Sequence, residues 1–307
     1  MSSKFRVTHE KSSEDEREIP EGGSNVQISS SPLFLPLRER GGTMSVASTH
    51  AILNLDDVGF TYSHDREFIN HLSFSLEEGE FIGLLGANGS GKSTILKLAS
   101  GILTPSAGLI TLWNKPLQSF KNKDRAKLLC YLPQLLDIQV PFRVRDLAGM
   151  GFYPYDILPE ATIGEALETV GLRDKSDCLI TNLSGGEKRR TFIAMTLLQG
   201  AGILLLDEPL ANLDIKYQIE ILRLLNHLRE EKGISIIMAL HDINIALQFE
   251  KVIVLKEGRI LGLGSPENVL TEAMFKEAFD LEMAVQRDIS GKAYVSYENN
   301  FFKENHR

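Results

Sequence analysis

Cysteine is almost missing. Cys130 and Cys178 are the two in 307 residues, and neither falls in a Cys-x-x-Cys or Cys/His cluster. That excludes a disulfide framework and a structural zinc of ordinary ligand spacing, and it reads as two reduced thiols of a cytosolic protein. A basic excess is missing too. Lys and Arg total 33 against 41 Asp and Glu, a formal net charge of -8. Nucleic acid and anionic lipid are bound by clustered cations, so both are excluded as main partners. No apolar run approaches the ~20 residues that span a bilayer, so the chain is not itself a channel or permease. Residues 1–20 are polar and charged, without the apolar stretch of a secretory signal. No internal repeat is visible, so one functional unit is expected.

Apolar residues make up 43% of the chain, enough for a sizeable core. They are unevenly spread. Residues 1–50 are rich in Ser, Glu, Gly and Arg and show no periodicity, so a disordered leader is expected, with Pro32–Leu37 as a short sticky patch. A natural start at Met44 is one reading of this leader. From Ile52 the pattern becomes regular. Ile52–Tyr62 and Leu72–Leu76 alternate as strands do, and Phe81–Leu85, Gly202–Leu206 and Ile234–Leu240 are wholly or largely apolar runs, the mark of buried parallel strands. Helical stretches at Lys92–Ser100, Glu187–Gln199, Asp214–Lys232 and Asp242–Phe249 separate them, with a more helical, proline-broken segment at about 140–182. In Asp214–Lys232 the apolar stripe is Ile215, Ile219, Leu222, Leu225 and Leu228. Two short strands, Met283–Arg287 and Ala293–Tyr297, flank a turn at Ser290-Gly291, and residues 299–307 form a polar tail. Strand–helix alternation predicts an α/β fold.

The run Gly86-Ala87-Asn88-Gly89-Ser90-Gly91-Lys92-Ser93-Thr94 follows an apolar strand and opens a helix. It fits the phosphate-binding loop of nucleotide-hydrolysing proteins. Gly86, Gly89 and Gly91 let backbone N–H groups converge on phosphate oxygens, helped by the helix N-terminus, with Asn88, Ser90 and Thr94 alongside. Lys92 is expected to reach the β and γ phosphates and Ser93 to ligate Mg²⁺. A second apolar strand delivers Asp207 and Glu208 at its C-terminal end, where open α/β sheets bind ligands. Asp207 would hold Mg²⁺ and Glu208 would polarise the attacking water.

Leu183-Ser184-Gly185-Gly186-Glu187, just upstream of the acidic strand, resembles the signature motif of ABC ATPases. Ser184, Gly185 and Gly186 open a helix whose N-terminus can take an anion. Since residues 86–94 already serve one nucleotide, a second site implies ATP held by a partner cassette. The resemblance implies such a head-to-tail pair, expected here as a homodimer. It also implies further roles: Tyr62 stacking on adenine, Gln134 sensing Mg²⁺ and water, Ala211–Asp214 crossing the pair with Asp214 near the nucleotide, and His241 contacting the γ-phosphate. Taken singly, Tyr62, Gln134 and His241 read as a strand aromatic, a surface amide and a capping residue; their order along the chain is what carries them. Leu210, Ala211 and Met195 depart from the family pattern, and the change at Ala211 puts the strength of pairing in doubt.

The implied fold is a P-loop NTPase ABC cassette over residues 51–298, with a RecA-like core, an N-terminal antiparallel β subdomain and an α-helical signature subdomain. Arg145-Asp146-Leu147, Gly151-Phe152-Tyr153-Pro154-Tyr155, Tyr217-Gln218 and His241–Ala246 resemble the cassettes of iron-siderophore, haem and cobalamin importers. The expected function is therefore a Mg-ATP-hydrolysing subunit on the cytoplasmic face of the membrane. It would drive uptake of an iron chelate or a related haem or cobalamin substrate through separate permease subunits, and indirectly serve a substrate-binding protein. The ATPase of a zinc or manganese importer, or of an exporter, is the alternative. DNA-repair relatives would carry coiled coils or zinc clusters, and translation-factor relatives two cassettes in one chain.

Overall fold

The computed structural model describes residues 51–63, 66–134 and 139–297. The expected leader 1–50, with Pro32–Leu37 and the start at Met44, and the polar tail 299–307 lie outside the described residues.

Strands β1 (Ala51–Ser63) and β2 (Arg66–Glu77) pair antiparallel. Strand β3 (Phe81–Gly86) runs into the phosphate loop and helix α1 (Lys92–Ala99). Strands β4 (Ala107–Leu112) and β5 (Lys115–Pro116) complete a first sheet of order β2-β1-β4-β5. Helix α2 (Asn122–Ala126) leads to β6 (Leu129–Leu132), which ends at the loop of Gln134. Helices α3 (Val144–Gly149) and α4 (Ile163–Thr169), with 3-10 turns between and after them, precede α5 (Gly185–Gln199). Then come β7 (Ile203–Leu206), α6 (Ile215–Lys232), β8 (Ser235–Leu240), α7 (Ile243–Ala246), β9 (Lys251–Lys256) and β10 (Arg259–Gly264). Helices α8 (Pro266–Val269) and α9 (Glu272–Phe279) and the hairpin β11 (Met283–Arg287) and β12 (Ala293–Tyr297) follow.

The second sheet has the order β10-β9-β3-β8-β7-β6, parallel throughout except for β10. Strands β3, β7 and β8 are buried at every position, which is why their sequences are continuous apolar runs rather than alternations. Successive residues still point to opposite faces. Ile203, Leu205, Ile237 and Ala239 pack with α1 and the antiparallel sheet; Leu204, Leu206, Ile236 and Met238 pack with α5, α6 and the α3–α4 segment. Among the described residues no helix is long and apolar enough to cross a membrane.

Four elements differ from the sequence reading. Strand β6 and helix α2 were not anticipated: Leu-Cys-Tyr-Leu is too short to display a period. The expected helix Asp242–Phe249 has only Ile243–Ala246 in regular α form. On α6 the buried face is Ile221, Leu224, Leu225 and Leu228, whereas Ile215 and Ile219 are 74% and 42% exposed. The stripe begins later than the periodicity suggests, with Leu222 also packed against the core.

Candidate functional site

The strand register fixes the site. Leu132 of β6 lies beside Leu206 of β7, Leu206 beside Met238 of β8, and Leu240 of β8 beside Leu85 of β3. The residues that follow these strands therefore emerge side by side at one carboxyl edge. There Asn88, Gly89, Ser90, Gly91, Lys92, Ser93, Thr94, Gln134, Glu208 and His241 line a single cleft of ≈ 420 Å³, together with Phe68. Ten residues singled out in the sequence thus meet in space.

The loop can wrap closely because of its glycines. Gly91 caps α1 in the left-handed region at φ 107°, and no side chain occupies the helix N-terminus. A Cβ at Gly86 would fall 2.4 Å from Ser90 Oγ and 2.6 Å from the Leu255 carbonyl oxygen. Ser90 Oγ is itself buried without a hydrogen-bond partner among the described residues. An unpaired buried hydroxyl is costly unless a ligand satisfies it. Lys92 is buried, and its Nζ donates to the carbonyls of Gly86 at 2.8 Å and Ala87 at 3.3 Å. Burial lowers its pKa, opposed by the carboxylates of Glu208 and Asp207. This is a cradle fitted to phosphate: a desolvated cation, a helix N-terminus without a side-chain cap and an unsatisfied hydroxyl.

The carboxylates sit at the mouth of β7. Asp207 is buried; its Oδ1 accepts from Ser93 Oγ at 2.9 Å and its Oδ2 from Tyr131 OH at 3.0 Å. Glu208 Oε2 accepts from Gln134 Nε2 at 2.6 Å, and its Oε1 lies 2.5 Å from His241 Nε2 and 3.7 Å from Lys92 Nζ. Glu208 adopts φ 49°, an uncommon backbone conformation for a residue with a side chain. Ser93 and Asp207, bonded to each other, present hard oxygen donors of the kind suited to Mg²⁺.

Tyr62 and Gly86 border this cleft rather than line it. Tyr62 OH shares a 2.8 Å hydrogen bond with Thr94 Oγ1, and the ring is 60% exposed, edge-on to Phe60 and Phe68. Ser184, Gly185, Gly186 and Asp214 are elsewhere. Ser184 caps α5 in a reciprocal box with Glu187, and a Cβ on Gly186 would press on the Tyr217 ring at 3.0 Å. Asp214 stands at the N-cap of α6 without a side-chain cap bond.

This constellation has counterparts in known proteins. An ABC transporter family model matches residues 69–211. The petrobactin import ATP-binding protein of Bacillus anthracis is 40% identical over 73% of this chain and 86% of its own length. The iron(3+)-hydroxamate import ATP-binding protein of Bacillus subtilis (strain 168) is 36% identical over 77% and 90%, and the hemin import ATP-binding protein of Bordetella avium is 36% identical over 72% and 89%. The chain belongs to the ABC transporter ATP-binding family. Among solved structures, cbiO1 of Clostridium perfringens, part of an ABC transporter complex, has a TM-score of 0.66 at 31% identity, covering 75% of this chain and 96% of that one. The dimeric cassette MJ0796, in a post-hydrolysis state with ADP and Pi, has a TM-score of 0.63 at 26% identity, covering 70% and 98%. The cassette is thus an ATP-binding, ATP-hydrolysing α/β protein of the P-loop class.

Three residues of the cassette's site escaped the sequence reading. Phe68 lines the cleft, Tyr131 holds Asp207, and Arg189 donates from Nη1 to the Pro133 carbonyl and from Nη2 to that of Gln134, both at 3.2 Å. Arg189 had left a trace: at helical spacing it shares a face with Phe192, Ile193 and Thr196, all buried. An arginine on an apolar face is a signal of a buried polar task.

Proposed function

We propose that this cassette is the motor of an iron-chelate importer, taking up a ferric siderophore or a related haem or cobalamin substrate through separate permease subunits. Support comes from the relatives above, which are import ATP-binding proteins for petrobactin, iron(3+)-hydroxamate and hemin. The observation that carries the hydrolytic part is Glu208, held between Gln134 and His241 beside the cradle of Lys92.

In this reading the backbone of residues 86–94 binds the phosphates and Lys92 turns from the Gly86 and Ala87 carbonyls to the β and γ oxygens. Tyr62 supports the adenine. Ser93, Asp207 and Gln134 hold Mg²⁺, which when bound offsets phosphate charge. Gln134 and His241 orient Glu208, which takes a proton from water as the water oxygen bonds to the γ-phosphorus and the bond to the ADP oxygen breaks. Ser184, Gly185, Gly186 and Asp214 do not line their own cleft because they serve the nucleotide of a second copy. The pair works at the cytoplasmic face of the membrane, and a substrate-binding protein feeds the permease.

The test is uptake of a radio-iron siderophore by source cells lacking this gene. Loss of uptake, restored by the wild-type chain and not by Lys92→Ala, is expected. Uptake that persists in the deletion redirects the assignment to another metal importer or to export.

A further inference from the structure

The signature helix reaches the backbone of Gln134, the residue bonded to Glu208, through one buried cation. Arg189 sits one turn into α5, is 6% exposed, and no carboxylate among the described residues forms an ion pair with it. Its guanidinium fork instead spans two successive carbonyls, Pro133 and Gln134, at the point where β6 gives way to its loop. Burying a guanidinium is expensive unless its donors are satisfied. The fork meets that cost only if Pro133 and Gln134 keep this backbone path, so the bonds order those two residues as much as the residues order the bonds. Gln134 then projects from a backbone whose carbonyl is fixed and donates to Glu208 Oε2 at 2.6 Å.

The N-terminal turn of α5 that precedes Arg189 is equally constrained. Ser184 and Glu187 close their capping box, Thr191 Oγ1 donates to the Glu187 carbonyl at 2.9 Å, and Lys175 pairs with the Glu187 carboxylate. The first turns of α5 form one rigid piece carrying both Ser184 and Arg189.

We propose that Arg189 is a positioning residue: it locks the Gln134 loop to the signature helix, so that the placement of Glu208 follows the placement of that helix. This rests on the reading of the cleft as the ATP site. Its consequence is a route by which a nucleotide seated at Ser184–Gly186, on the partner's side, sets the hydrolytic geometry of this chain. Arg189 touches no substrate; it acts through Gln134.

Steady-state hydrolysis and nucleotide binding by the purified full chain test this, using Arg189→Met, Arg189→Lys, Gln134→Ala and the Arg189→Met/Gln134→Ala double variant. Arg189→Met is expected to lower kcat about tenfold while KM and ATP affinity stay within about twofold. The double variant is expected to be no slower than Gln134→Ala, because both changes remove one interaction. Arg189→Lys keeps the charge but not the fork and recovers only part of the rate. Wild-type kcat in Arg189→Met, or multiplied losses in the double variant, overturns the proposal. If Arg189→Met fails to fold, Arg189→Lys and its double variant with Gln134→Ala carry the same comparison. Lys92→Ala separates the two claims. Wild-type turnover there sinks the ATP reading and this proposal together, whereas lost turnover there with multiplied losses at 189 and 134 sinks the proposal alone.

Discussion

At the scale of single residues, the site is a set of side chains each held by one other. Asp207 is the clearest case, with one oxygen taken by Ser93 and the other by Tyr131. Burial, reinforced by the Asp207 carboxylate, pushes the Tyr131 phenol up, so it remains a donor. Tyr131→Phe keeps the ring and removes only that donor. The expected result is an about tenfold higher Mg²⁺ requirement for hydrolysis, with ATP affinity at saturating Mg²⁺ unchanged. An unaltered Mg²⁺ dependence would show that Asp207 is oriented without Tyr131. The difference in legibility lies here. Lys92, Ser93, Asp207 and Glu208 could be read because strand, loop and helix place them by local spacing. Tyr131 reaches Asp207 across 76 positions and Arg189 reaches Gln134 across 55, and no local pattern encodes such a meeting.

At the scale of elements, α5 is the pivot between the parallel sheet and the α3–α4 segment. Gly151 marks its closest approach: a Cβ there would fall 2.2 Å from the Met195 carbonyl oxygen and 2.9 Å from Leu198 Cβ. Gly151→Ala must push the segment off the helix, and a loss of about 1–3 kcal/mol is expected, seen as a lower Tm. A wild-type Tm would mean that the contact is loose. Tyr155 seals the same junction, donating to the Gln199 carbonyl at 3.0 Å while Lys127 Nζ stands 5.1 Å from its ring centroid. The motif Gly151–Tyr155 could be noticed in the sequence as a family resemblance, but its physical task could not. Periodicity likewise identified α6 as amphipathic and found Leu222, Leu225 and Leu228 on its inward face, but began the stripe too early, at the exposed Ile215 and Ile219, and left out Ile221 and Leu224. Strand β11 and its partner β12 were read with their observed ends, since the Ser290-Gly291 turn punctuates them.

At the scale of the whole molecule, the cassette carries one phosphate cradle and, away from it, the N-terminus of α5, closed by the capping box of Ser184 and Glu187. The segment leading to Asp214 is held firmly despite Leu210 and Ala211. Leu210 is buried, and Gln218 Nε2 donates to the carbonyls of Leu210 and Leu213 at 3.4 and 3.0 Å. These features make sense if two copies close over two nucleotides, each supplying what the other lacks. Glu208 is the residue on which that account turns, because its replacement should stop turnover without disturbing the cradle. The decisive measurement is sedimentation velocity of Glu208→Gln with and without Mg-ATP, with phosphate release followed in parallel. The account predicts monomer without nucleotide, a stable dimer with it, and turnover reduced at least about a hundredfold. A chain that stays monomeric in Mg-ATP, or that hydrolyses it at the wild-type rate, would contradict it.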